Sequence, residues 1–415
     1  MVIGNGAISR ERTEEEVYAL SERALAQLPL AGKRVLVIIP DTTRHAELPL
    51  FFKTLARILG GKVAALDYLV ATGTHHPLGI DVLLKHVGIT EEEYKSRHTR
   101  TKFFNHLHTD RSQLRTIGRI PAREISEISQ GLYAEDVDVT INKLIFEYDQ
   151  LILVSPVVPH ETVGFAGGNK YFFPGIGGEE IIQTFHWIGA LLTNPVVNGV
   201  KDTLVRRVIN RGATFITVPR ICFAFVVDDH KVSSLYIGSP EEAWEKAADD
   251  SAKVHIKYLD HPVKTVLGIA PSIYEDIWVA GKVMYKHEPV IADGGEVIIY
   301  APHIDEISYS HGKEIRKVGY HVRDYFVRQW KKFEGTSRLI LAHSTNVRGI
   351  GSFENGVEKP RINVTLATAI PESECRAVNL GYRDYRTIDI EEWKSRQNGD
   401  LLVVENAGQL LYRLR

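Results

Sequence analysis

Cysteine is almost absent: the 415 residues hold only Cys222 and Cys375, and neither has a CxxC partner. That excludes a disulfide framework and a cysteine zinc ribbon, and it fits a reducing compartment, so a cytoplasmic protein is expected. Charge of one sign is missing too. Fifty Lys and Arg face 52 Asp and Glu, a net of −2. No basic field for nucleic acid and no polybasic membrane patch follows from that balance. No apolar stretch approaches the ~18 residues that span a bilayer. The opening MVIGNGAISRERTEEE has no apolar core of signal-peptide length. Neither nucleic acid nor membrane is therefore expected as a partner. Also lacking are GxGxxG, GxxxxGK[ST] and HExxH, which argues against an ordinary dinucleotide site, a phosphate loop or a zincin.

What is present is an α/β chain, too long for one core of at most roughly 250–300 residues. Thr13 caps a helix whose stripe is Val17, Leu20, Ala24 and Leu28. A buried-strand run, 34–40, ends in Asp41-Thr42-Thr43-Arg44, and a helix spans 48–59. A second strand run, 63–70, ends in Ala71-Thr72-Gly73-Thr74-His75-His76. This order predicts parallel α/β units. Further strands are expected at 151–155 and 221–227, with helices from Glu179 to Leu192 and from Ser239 to about Tyr258. After Asp260-His261-Pro262 the pattern restarts: strand 264–270, helix 274–287, strand 296–300, a helix around 325–333 and a strand 338–342. The strand at 401–405 closes this second domain or returns to the first. Two α/β domains with mostly parallel sheets follow, 1–260 and 261–415. An active-site cleft is expected between them and a hinge near 255–264.

Reactive groups gather after strands, where open parallel sheets bind ligands. Asp41 to Arg44, Thr72 to His76 and Ser155 to Lys170 are three such segments. Taken singly, Asp41 reads equally as a helix cap, Arg44 as a surface ion pair, and His75 and His76 as idle loop residues. The third segment is the most informative. Six glycines fall between Gly164 and Gly178, among Val163, Phe165, Tyr171, Phe172 and Phe173. A solvated linker would not carry so many aromatics, so an ordered loop packed around a bound group is expected. His186 lies two turns into the following helix, and the 17 histidines of the chain point weakly to proton transfer or metal binding.

The segment Pro159-His-Glu-Thr-Val-Gly-Phe-Ala-Gly-Gly-Asn-Lys170, then Pro174-Gly-Ile and His186, resembles the lactate racemase family. Asp41-Thr-Thr-Arg44 and Gly73-Thr-His75 match two more family motifs in order. The His160–Lys170–His186 spacing of ten and sixteen residues adds specificity. The resemblance implies a nickel-pincer nucleotide, a pyridinium mononucleotide that holds nickel through carbon and sulfur. Lys170 then matches the lysine tethered to it, and His186 the histidine that ligates nickel. With one imidazole the metal gains a four-coordinate plane, which nickel(II) accepts. His75 and His160 match the two acid/base histidines, one for each face of the substrate. The implied reaction is racemisation or epimerisation of a small 2-hydroxy acid. Hydride leaves C2 for the cofactor, a keto acid forms, and hydride returns to the other face. Arg44 matches an arginine suited to a carboxylate or phosphate. Asp41 would steady a histidine or Arg44, with Thr42 and Thr43 beside the cofactor.

Lys282 matches a second-domain lysine that closes on the substrate carboxylate. The family's Tyr-Gln pair ahead of it is replaced by Trp278-Val279, which leaves the substrate open among lactate, malate, aromatic hydroxy acids and sugar acids. Trp330 matches a family tryptophan, and His303, Ser308 and His311 are further candidates for the cleft. Enzymes that make the cofactor are expected partners. Two other readings remain at this stage: a zinc hydrolase on His75, His160 and His186, and a non-catalytic carrier of the nickel nucleotide.

Overall fold

Gln150–Pro156 is buried at every residue, and Arg34–Ile39 at all but its first, so both runs are buried without alternation and largely apolar. In the computed structural model, which describes residues 2–6, 10–43, 46–229 and 231–415, they are central strands of a seven-stranded sheet. Its members are β1 (Ile3–Gly6), β2 (Arg34–Ile39), β3 (Ala65–Val70), β4 (Phe103–Asn105), β5 (Gln150–Pro156), β6 (Arg220–Asp228) and β7 (Lys231–Gly238). Their order is β1-β7-β6-β5-β2-β3-β4. From β6 to β4 all neighbours are parallel; β7 and β1 add antiparallel strands at one edge.

Helix α1 (Glu14–Leu25) starts on a capping box between Thr13 and Glu16. Val17 of α1 and Phe51 and Phe52 of α2 (Leu48–Leu59) join Val37 and Phe223 of the sheet in one core. Among the helices that follow are α3 (Glu179–Leu192), α4 (Leu204–Ala213) and α5 (Pro240–His255).

A second sheet is parallel throughout. It consists of β8 (Val263–Ile269), β9 (Ile291–Ala301), β10 (Asn363–Thr368), β11 (Gly381–Tyr382) and β12 (Leu401–Val404), in the order β11-β10-β9-β8-β12. Its core is built with α6 (Ile277–His287), through Ile277, Ala280 and Val283, and with α7 (Arg338–Arg348), through Ile340 and Val347. The strand at the chain's end thus closes this second sheet, and Leu411–Leu414 pairs with Ile256–Leu259.

Two expectations need correction. Residues 338–342 are not a strand but the first half of α7. Because Leu339 through Val347 are all buried, that helix shows no one-sided stripe, and its short apolar run reads like a strand. The division at residue 260 is also too simple. The chain forms two units that exchange segments. Unit 1 comprises Met1–Val158, Phe165–Ile182 and Arg206–Val254; unit 2 comprises Pro159–Gly164, Gln183–Val205 and His255–Arg415. His160 and His186, expected in an N-terminal domain, therefore belong to unit 2. A sequence boundary drawn where composition breaks cannot register a chain that crosses over and returns.

Among the described residues no helix is long and apolar enough to cross a membrane.

Candidate active site

In unit 1, four neighbouring parallel strands, β5, β2, β3 and β4, end at one edge, and each is followed by polar residues of interest. After β2, Asp41 is buried, and its Oδ1 accepts from the backbone N–H of Thr43 at 3.1 Å and from Thr43 Oγ1 at 2.6 Å. Its Oδ2 lies 2.5 Å from His75 Nδ1, on the loop after β3. A carboxylate only accepts, so Nδ1 of His75 carries the proton and Nε2 keeps its lone pair when the ring is neutral. The side chain of His75 is 35% exposed and that of Asp41 only 7%, so the dyad is rooted inside and open at the imidazole. Thr42 and His76 are exposed. Arg44 and His45 lie outside the described residues.

The glycine-rich loop after β5 is held from several sides within unit 1. Arg206, buried, donates to the carbonyls of Phe165 and Gly167 and lies 4.0 Å over the Trp244 ring. Burial lowers its pKa to about 9. Trp244 Nε1 donates to Ala166 O at 2.8 Å, and Gly168 N donates to Ser155 Oγ at 2.8 Å. Asn169 Nδ2 donates to Asn210 Oδ1 at 3.1 Å and to Glu241 Oε1 at 2.7 Å. Gly168 needs its φ of +59°, and a Cβ there would sit 2.9 Å from Trp244 Cβ. Lys170, half-buried, stands in the short turn Gly168–Tyr171 that ends this frame. The frame touches the His75 loop directly, since Gly73 N donates to Gly175 O at 3.0 Å.

Two residues that sequence reasoning missed follow β4. His106 is buried, its ring bonded to Gly177 O at 2.8 Å and to Asn142 Nδ2 at 3.2 Å. Burial pulls its pKa down to about 4, so it is uncharged at neutral pH. His108 has its pKa lowered chiefly by burial, with Glu179, the backbone of Gly73 and His75 as weaker influences. Their position after a strand at the reactive edge was the available signal.

In unit 2, His160 is buried and held differently. Its Nδ1 accepts the backbone N–H of Thr162 at 3.2 Å, and Glu161 Oε2 stands 3.2 Å from the same nitrogen. The amide suits a lone pair on Nδ1 and the carboxylate a proton there, so this nitrogen has a partner in either of its states. Lys286 Nζ donates to Pro159 O at 2.6 Å and fixes the residue before it. His186, half-buried on α3, stacks on Phe185 at 4.4 Å. The next residue, Trp187, stacks on Trp330 at 5.6 Å.

Lys282 lies one turn after Trp278 on α6, with Nζ 5.0 Å from the Tyr274 ring centre. Trp278 is covered by the imidazoles of His343 at 3.9 Å and His311 at 4.3 Å. Ser308 Oγ accepts the backbone N–H of His311 at 3.2 Å, and His303 Nε2 bonds Tyr274 O at 3.0 Å. Among the described residues no three His, Cys, Asp or Glu side chains group as a metal-binding set.

The model of the lactate racemase N-terminal domain matches residues 10–196. A lactate racemase of Thermoanaerobacterium thermosaccharolyticum is 25% identical over 309 residues, 71% of this chain and 65% of that protein. The match thus spans less than two thirds of that relative's length. A Thermotoga maritima protein of known crystal structure is 34% identical, with a TM-score of 0.90 over 98% of this chain and 100% of its own. The lactate racemase apoprotein structure from T. thermosaccharolyticum superposes with a TM-score of 0.71 at 19% identity, covering 99% of this chain and 94% of that one. This last likeness is one of fold.

Proposed function

The chain belongs to the lactate racemase family, and we propose that it racemises or epimerises a small 2-hydroxy acid with a nickel-pincer nucleotide held through Lys170 and His186. The observation that supports the reading is a carboxylate oxygen at Nδ1 of both histidines, Asp41 at 2.5 Å from His75 and Glu161 at 3.2 Å from His160.

In the proposed reaction, His75 Nε2 takes the hydroxyl proton from one enantiomer while Asp41 stabilises the imidazolium that results. His160, charged at the start with Glu161 facing its Nδ1, gives its Nε2 proton to the oxygen of the other. The ring left behind is neutral with its lone pair on Nε2, so the roles reverse as the enzyme returns. The cofactor, when bound, supplies the reversible hydride acceptor. Lys282 and Arg44 bind the substrate carboxylate or the cofactor phosphate.

The residues fit such a cofactor. A group that brings its own carbon and sulfur donors asks the protein for a lysine on a rigid frame and one histidine, and both are present. A zinc hydrolase asks for three protein donors, a set not found among the described residues. A mere carrier would have no use for the Asp41–His75 dyad.

The test is to co-produce the chain with the cofactor-making enzymes. Intact mass, nickel content and loss of optical activity of single-enantiomer lactate, malate and an aromatic 2-hydroxy acid are then measured. The expected result is a mass increase on Lys170, about one nickel per chain, and racemisation of at least one acid. Lys170→Ala abolishes all three. An unmodified mass without nickel, under conditions that load the T. thermosaccharolyticum lactate racemase, refutes the proposal.

A further inference from the structure

His106 joins two loops through two different parts of itself. Its backbone belongs to the His75 loop: His106 N donates to Val70 O at 3.2 Å, and Thr72 Oγ1 donates to His106 O at 2.5 Å. Its ring belongs to the Lys170 loop, because Nε2 lies 2.8 Å from Gly177 O. A carbonyl only accepts, so Nε2 carries the proton, and Nδ1 is then the acceptor for Asn142 Nδ2. Asn142 is fixed in turn, its Nδ2 also reaching Gln113 Oε1 at 3.3 Å and its N–H donating to Ile176 O at 2.9 Å. Only a neutral imidazole of this tautomer satisfies both neighbours. His106 is wholly buried, yet Asn142 and Gln113 line a cavity of about 260 Å³. The network therefore borders open space on the side of Asn142 and Gln113, where directional hydrogen bonds hold those two side chains.

We propose that His106 is a positioning residue. It is a buried post that couples the loop of the acid/base His75 to the loop of the cofactor lysine, so that the two keep one relative placement through turnover. The inference rests on the roles given to His75 and Lys170 above. Displacements of about 1 Å cost on the order of 10²-fold in rate, so a tie between the two loops has direct consequences for catalysis.

The test compares the full-length wild type, His106→Leu and His106→Gln. Leucine removes both ring bonds. Glutamine keeps an N–H donor where Nε2 stands. Backbone hydrogen exchange is followed on the unloaded chain, and the fraction of Lys170 carrying added mass is measured after co-production with the cofactor-making enzymes. In His106→Leu, peptides 71–76 and 170–178 are expected to exchange about tenfold faster together, while peptides from β2 and β5 stay as in wild type. Lys170 loading falls with them, and His106→Gln restores both readouts. Wild-type exchange in either loop of His106→Leu overturns the coupling. So does a His106→Gln that behaves like leucine, and should the leucine variant not fold, the glutamine variant decides alone. Because exchange is read without cofactor, a wild type that never gains mass on Lys170 refutes the functional reading while the coupling still stands or falls on exchange.

Discussion

His75 in unit 1 and His160 in unit 2 are the same side chain held in two ways. His75 has one strong partner at Nδ1, the buried Asp41, which itself is fixed by Thr43. His160 has two at Nδ1, the amide of Thr162 and the carboxylate of Glu161. The first arrangement suits a base, because a carboxylate at Nδ1 leaves the lone pair of the neutral ring on Nε2. The second serves either state: the amide suits the neutral ring and the glutamate the charged one. Two such rings are not redundant. In the proposed reaction, which would run in both directions, one starts as acceptor and the other as donor, and the asymmetry lies in their neighbours, since the imidazoles are alike.

The sharpest way to break the comparison is Asp41→Asn. The amide is nearly the same shape, but it cannot stabilise an imidazolium, and its NH₂ can turn the His75 ring to the tautomer whose lone pair faces inward. The racemisation rate is expected to fall about 10³-fold with the fold intact, as is typical when a histidine loses its orienting carboxylate. The check is kcat for each enantiomer alongside circular dichroism. A fall under tenfold would mean that Thr43 and the loop backbone hold His75 without help.

A smaller effect is expected from Glu161→Gln. The Thr162 amide still holds the neutral ring, so only the charged state of His160 loses its partner. A loss of about 30-fold in kcat, with KM nearly unchanged, follows if that state forms in turnover. An equal loss in Asp41→Asn and Glu161→Gln would abolish the distinction between the two sites.

How far the sequence foretold this depends on the kind of residue. β2, β3 and β5 were legible because strands covered on both faces are apolar throughout, and Asp41, His75 and Lys170 followed from their places after such strands. α7 was not, since a helix buried on every side has no stripe to display. His160 and His186, candidates by resemblance, were expected in an N-terminal domain but lie in unit 2, because contiguity in sequence is silent about a chain that leaves one unit and returns. His106 was overlooked altogether. Its partner Gly177 is 71 residues away, and nothing local in Phe104-Asn-His-Leu-His108 marks one histidine as buried and the other as partly so. Glu161 sat in plain view within the motif, but its meaning depends on a distance.

Both units bury histidines that resist protonation, His106 in unit 1 and His287 and His343 in unit 2. Unit 2 buries His287 completely, bonded through Nδ1 to Val283 O at 2.6 Å, and burial pulls its pKa down to about 4. The unfolded chain binds this proton near pH 6.5. Between those values the unfolded state holds more protons than the folded one, so stability falls as pH falls and levels off below about 4. At pH 5.5 one such imidazole costs about 1 kcal/mol relative to pH 7.5. His287→Phe has no proton to gain and nearly the same shape. It is expected to spare unit 2 that loss while leaving the acid response of unit 1, with its own buried His106, as in wild type. Exchange-resolved stabilities of the two units at pH 7.5 and 5.5 measure both quantities. An unchanged pH response in unit 2 would place its acid sensitivity elsewhere, with His343, whose pKa burial lowers to about 3, the next residue to replace.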